Sequence, residues 1–206
     1  MDNVVLLSGN SNVDLASKIA EKLGMELNEK NVPTMFANTE WHPQIHDNLR
    51  GKDIFIVQSG CIHKSKNLSV NDIIIETLIL VDACRRSAAS TVNIIMPIYP
   101  YARGDKKDEP RAPIPAKLVA NLFVSVKIDR LVSIDLHATQ IQGFIDIPFD
   151  NLYSVNLVID CFNRSIFKGM SVEDNLMSII ETIESDRNKR YQILEDLLVE
   201  FNISNI

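Results

Sequence analysis

The sequence predicts an α/β fold, a doubly wound parallel sheet, and three observations carry that prediction. Short apolar runs of four to seven residues recur along the first three quarters of the chain, each closing in a polar joint. Segments of helical periodicity stand between them, and the joints are short. Strands covered on both faces read as continuous apolar runs, and loops leaving their carboxyl ends are where such sheets bind ligands.

Val4–Val5–Leu6–Leu7 is the first strand, closed by Ser8–Gly9–Asn10–Ser11–Asn12. Leu15, Ile19, Ala20 and Leu23 then repeat at helical spacing until Gly24 ends the helix. An irregular segment holding Phe36–Ala37–Asn38–Thr39–Glu40–Trp41 follows. Asp53–Ile54–Phe55–Ile56–Val57–Gln58 is the next strand, ending in Ser59–Gly60–Cys61, and residues 62–70 read as a small polar insertion. From Asn71 to Arg86 a helix is expected, with Ile74, Leu78, Val81 and Ala83 apolar, acids early and arginines late, as the helix dipole favours. Val92 to Ile98 is a strand, Pro113 to Val124 a helix, and Arg130 to Ile134 a strand that opens into Asp135–Leu136–His137–Ala138–Thr139–Gln140.

After Tyr153 the character changes. Ser171–Val172–Glu173–Asp174 is a helix start. Leu176, Ile179, Ile180 and Ile183, then Ile193, Leu194, Leu197, Leu198 and Phe201, mark two amphipathic segments around the charged Asp186–Arg190. Residues 1–153 are therefore expected to form the α/β domain and 154–206 a helical tail.

With 206 residues, 46% of them hydrophobic, the chain can bury one substantial core. A net charge of −6 argues against a general nucleic-acid binder, which needs an excess of cations, so any basic cluster is a local device. Cys61, Cys84 and Cys161 are odd in number and set among apolar residues, which speaks against a disulfide framework and fits a reducing compartment. The N-terminus lacks a basic, long-apolar signal pattern, and no run approaches the length of a membrane span. The expectation is a soluble, cytoplasmic protein.

Chemistry concentrates in Tyr99 to Ile114, a proline-bounded loop after a buried strand that carries Arg103, Lys106, Lys107 and Arg111 among Asp105, Asp108 and Glu109. A solvated surface loop would carry such charges; so would a loop that binds a polyphosphate and its metal. Asp135 and His137 are two apart, so on a persisting strand they share a face and could hold Mg²⁺ directly or through its water, or simply pair with one another. His42 and His46 would share a face if helical, which raises zinc, although Pro43 intervenes and no third ligand is near. Phe36, with Asn38 and Glu40, offers a ring and polar groups for a purine, or a core plug. No Walker loop and no nucleophile elbow occurs, so any phosphate site uses another architecture.

Several of these stretches, in order, closely resemble the ribose-phosphate diphosphokinases, or PRPP synthetases. They are Ser8–Gly9–Asn10–Ser11, Phe36–Ala37–Asn38–Thr39–Glu40, Val57–Gln58–Ser59–Gly60–Cys61, Tyr101–Ala102–Arg103–Gly104–Asp105–Lys106–Lys107–Asp108 with Arg111–Ala112–Pro113–Ile114, Asp135 to Phe144, and Asp150–Asn151–Leu152–Tyr153. The resemblance covers about residues 4 to 153, the N-terminal half of such enzymes, and implies a phosphoribosyltransferase-type α/β domain. It implies Mg²⁺-dependent transfer of the β,γ-diphosphoryl group of ATP to ribose 5-phosphate, giving PRPP and AMP. By the same resemblance Phe36 would stack on adenine with Asn38 and Glu40 at its edge, usually from a neighbouring subunit. Arg103, Lys106, Lys107 and Asp108 would hold ATP, Arg111 would belong to a closing loop, and Asp135 and His137 would serve the metal, with Asp146 and Asp150 as further candidates.

The chain also departs from the family. Its second half normally supplies an Asp-Asp loop for ribose 5-phosphate and a Ser-Pro-Asp-Ala-Gly-Gly-like segment, and neither occurs in these residues. Gly104 stands where a Gln is common and Thr39 where a Gly is frequent. The second expectation is therefore a non-catalytic, nucleotide-binding or regulatory relative that co-assembles with a full-length enzyme. Either way an oligomer, of one chain or two, is expected.

Overall fold

The computed structural model describes residues 3–159 and 169–200, which fall into two compact units, 1–153 and 154–206. In the first, the elements run β1 (Val4–Ser8), α1 (Val13–Leu23), β2 (Thr34–Met35), β3 (Trp41–His42), β4 (Asp53–Val57), α2 (Val70–Arg86), β5 (Thr91–Ile95), α3 (Pro115–Ser125), β6 (Arg130–Ile134) and β7 (Phe149–Leu152). The sheet order is β1-β4-β5-β6-β7, and every pair is parallel. Five strands that follow one another across the sheet place all their carboxyl ends on one edge.

Alternation along the strands divides the core in two. Leu7, Ile54, Ile56, Val92, Ile94 and Leu131 point to the face covered by α2 and α3, whereas Leu6, Phe55, Val57 and Ile95 meet Ala16 and Ala20 of α1. The sheet is thus flanked by helices on both faces, as the apolar runs predict.

Helix ends follow local chemistry. The Asn12 side chain accepts from Leu15 N, and Gly24 closes α1 in the left-handed region at φ 64°, a conformation without a Cβ penalty only for glycine. Ser69 and Asp72 form a reciprocal capping box on α2. Pro115 opens α3, where a missing N–H costs no hydrogen bond.

Phe123 is the largest fully buried side chain, with its ring edge-on to Tyr99 at 6.5 Å. Phe123→Ala is expected to lower stability by about 3–5 kcal/mol, read as a lower urea midpoint at unchanged slope. A shift under about 1 kcal/mol would mean that the core closes over the gap.

One expectation is corrected here. The segment around Phe36 is not irregular: β2 and β3 pair antiparallel, Thr34 with His42 and Met35 with Trp41, so Phe36 to Glu40 form the tip of a hairpin. Phe36 N donates to Glu40 O at 2.8 Å and Thr39 N to Phe36 O at 2.9 Å. Thr39 sits at φ 70°, which gives a physical reason for a glycine to be frequent at such a position.

In the second unit, Val172–Ile183 is capped by Ser171, whose side chain accepts from Asp174 N. Ile180 packs with Leu194 and Leu198 of the helix Arg187–Glu200. Phe201 lies outside the described residues, as does Cys161. Among the described residues no helix is long and apolar enough to cross a membrane.

Candidate functional site

Three strand ends meet around one cleft of about 720 Å³. Gly60, Cys61 and Ile62 come from the end of β4, Ile98 to Arg103 from β5, and Ile134 to His137 from β6. The backbones at two of these ends nearly touch, for Gly60 N donates to Ile98 O at 2.8 Å. This is the edge at which a parallel sheet binds ligands.

Arg103, Asp135 and His137, singled out in the sequence, therefore share one cleft. The condition of a persisting strand is not met, because the strand stops at Ile134, where the sequence placed its end, and Asp135 turns into the left-handed region at φ 46°. Asp135 N donates to Leu152 O at 2.8 Å, and Leu136 N donates to Asn151 Oδ1 at 3.1 Å. β7 thus fixes the turn that presents both side chains. Tyr101 and Arg111, in the charged loop, also hold positive φ, at 56° and 68°. Backbone strain of this kind, of order 1–3 kcal/mol each, persists where surrounding contacts over-determine it and clusters at functional sites.

The loop's cations are largely uncompensated. Lys106 lies 3.6 Å from Asp108, both exposed, a pair worth little in water. Among the described residues Arg103, Lys107 and Arg111 have no ion-pair partner. One tether joins the loop to the segment after His137, a donation from Gln140 Nε2 to Asp105 Oδ2 at 3.4 Å. Gly104 is explained by packing: a Cβ there would lie 2.8 Å from Pro115 Cδ.

Other expected residues lie elsewhere. Asp150, on β7, pairs with Arg130, and Asp146 is exposed and does not line the cleft. Phe36, Asn38 and Glu40 also lie outside the cleft lining. Phe36 is 52% exposed, with one ring face on His42 at a centroid distance of 4.6 Å. His42 is on a strand, so the helical pairing with His46 fails. Among the described residues no group of three His, Cys, Asp or Glu side chains is gathered to hold a metal. Asp135 and His137 fit a hard cation only as Mg²⁺ is commonly held, by one or two protein donors plus substrate phosphates.

Sequence reasoning missed Glu76. It is fully buried on α2; burial pushes its carboxyl above the ordinary value, opposed by hydrogen bonds from Asn10 and Gln58 and by the Lys66 charge. The signal was available as one acid at the spacing of the apolar stripe Ile73, Ile74, Leu80 and Val81. Cys84, by contrast, is a buried free thiol pushed up to about 12 by burial, which makes it unreactive.

Comparison with known proteins agrees with the fold. Residues 4–126 match the family model of the N-terminal domain of ribose phosphate pyrophosphokinase. The fold is similar to the crystal structure of phosphoribosylpyrophosphate synthetase from Mycobacterium smegmatis, with a TM-score of 0.71 and 37% sequence identity over 79% of this chain. The match takes in 52% of that chain, so this protein spans about half the length of the one it resembles.

Proposed function

Since the chain belongs to the ribose phosphate pyrophosphokinase family, we propose that it supplies the ATP-holding half of a diphosphoryl transfer from ATP to the 1-hydroxyl of ribose 5-phosphate, giving PRPP and AMP. The observation that carries this reading is the cleft that Arg103 shares with Asp135 and His137, at the start of a loop whose Lys107 and Arg111 have no ion-pair partner among the described residues. Diphosphoryl transfer asks little covalent chemistry of a protein. Its barrier falls when nucleophile and phosphorus are held in line and negative charge is offset.

Each residue type suits that task. The Arg103 guanidinium presents a planar fork to phosphate oxygens. Lys106, Lys107 and Arg111, on a loop anchored at both ends by proline-containing turns, would close over the phosphates with Asp108 and exclude water. Asp135 and His137 would hold Mg²⁺, which supplies positive charge against the phosphate oxygens when bound. Phe36, Asn38 and Glu40 do not line their own chain's cleft, which favours their serving adenine in a neighbouring copy and hence an oligomer.

A second reading, a nucleotide-binding subunit that assembles with a full-length relative, is favoured by the lack of the ribose-phosphate loop among these residues. AMP formation separates the two. The purified protein is given Mg²⁺ and ATP with and without ribose 5-phosphate. AMP release that requires ribose 5-phosphate and vanishes in Arg103→Ala supports the transfer, and ATP binding without AMP supports the second reading. Absence of ATP binding would sink both.

A further inference from the structure

Helix α2 carries a carboxylate where its neighbours call for an apolar group. Glu76 Oε1 accepts from the Asn10 backbone N–H at 2.9 Å and from Asn10 Nδ2 at 2.8 Å; Oε2 accepts from Gln58 Nε2 at 2.7 Å. Each donor has a second commitment. Asn10 Nδ2 also donates to Pro33 O at 2.7 Å. Gln58 Oε1 accepts from Ser11 N at 3.0 Å and from Ser11 Oγ at 2.7 Å, and Ser11 Oγ accepts from Ser59 N at 2.7 Å. From the insertion, Lys66 Nζ reaches Asn10 O at 3.2 Å and Asn10 Oδ1 at 3.1 Å.

These bonds form two arms with one root. Through Asn10 the carboxylate reaches Pro33, the residue that leads into β2 and the Phe36 hairpin. Through Gln58 and Ser11 it reaches Ser59, next to Gly60 and Cys61 of the cleft wall. The hairpin's other tie is Trp41 Nε1, which donates to Asp72 O at 2.9 Å, one turn earlier on the same helix. Gly9 belongs to the same device, since a Cβ there would stand 2.3 Å from the Gln58 amide.

Mere packing would be better served by an apolar side chain, because a buried charge is costly unless hydrogen bonds compensate it. A fully satisfied polar network, in return, specifies one geometry. Three N–H groups from two residues, Asn10 and Gln58, face its oxygens, an arrangement that favours the carboxylate against the burial that opposes it.

We propose that Glu76 is a positioning residue that fixes the hairpin bearing Phe36, Asn38 and Glu40 relative to the Ser59–Cys61 wall of the cleft. What the fixed parts bind rests on the functional reading above; the positioning itself does not. Glutamine at this position keeps the shape but turns one acceptor toward donors as a donor, which breaks one arm.

Trp41 is the single tryptophan, so its fluorescence reports the hairpin alone. In Glu76→Gln, and in Asn10→Ala, which leaves the Gln58 arm in place and removes the hairpin arm with the Lys66 contact to Asn10 Oδ1, the emission should shift to longer wavelength and acrylamide quenching should rise, with far-UV circular dichroism unchanged. Val81→Ala, a core truncation on the same helix, should lower the melting temperature without moving the Trp41 signal. On the functional reading, MgATP affinity in the first two variants should also fall by about tenfold. Unchanged Trp41 quenching in a folded Glu76→Gln overturns the proposal, and if that variant does not fold, Asn10→Ala decides in the same way. A wild-type chain that fails to bind MgATP, with Trp41 loosened in the variants, would defeat the functional reading and leave the positioning role standing.

Discussion

Arg103→Ala is expected to weaken MgATP binding by about 100-fold or more while leaving the fold intact. The side chain is exposed on the cleft wall and has no ion-pair partner among the described residues, so its removal breaks nothing in the protein and leaves no charge stranded. On the proposed function it removes a planar fork for phosphate oxygens, and a bidentate pair at about 1.5–3 kcal/mol per charge-assisted hydrogen bond accounts for the loss. Arg103→Lys should recover only part of the affinity, because an ammonium restores charge without the planar fork. Calorimetric titration of the three proteins with MgATP decides the matter. Equal affinity for wild type and alanine variant would move the phosphate site away from this cleft.

Gly60→Ala should be among the most damaging single-methyl changes in the chain's first unit. The added Cβ would stand 2.4 Å from Ile98 O, 2.6 Å from Pro100 Cδ and 2.9 Å from Pro100 N. Two of those atoms are backbone and the third is a proline ring, so none can swing away as a flexible side chain would. The ends of β4 and β5 must then separate, with loss of the Gly60 N to Ile98 O hydrogen bond. A cost of about 3 kcal/mol follows, equivalent to a fall in melting temperature on the order of 10 °C. Because both strand ends line the cleft, MgATP affinity should fall with it. Gly143→Ala, where nothing stands within 4 Å of an added Cβ, is the control and should change stability by less than about 0.5 kcal/mol. Equal melting curves for the two variants would show that the close approach at Gly60 is relieved at no cost.

Much of the fold was legible because its signals are local. Strands β1, β4, β5 and β6 are apolar runs, whereas β7, with Asp150 and Asn151 at its centre, was not foreseen; α1 and α2 carry their caps in Asn12, Ser69 and Gly24, and one cleft gathers Arg103, Asp135 and His137, which the sequence singled out. The hairpin was not legible. Strands of two residues have no periodicity to detect, and Trp41 is held by a carbonyl on α2, 31 positions away. The left-handed turn at Asp135 was not legible either, because nothing in an Asp-Leu-His triplet announces a residue held there by Leu152 and Asn151.

Sequence by itself determined the parallel α/β class, the family and the kinds of side chain available for phosphate and metal, since all of these are set by periodicity, motif order and residue chemistry. Tertiary structure alone decided which of those side chains meet. It brought Arg103 to Asp135 and His137, turned Asp150 to Arg130, and buried Glu76 between Asn10 and Gln58. The physical reason is that proximity across the sheet's carboxyl edge depends on strand order and register, which link residues tens of positions apart that no local pattern connects.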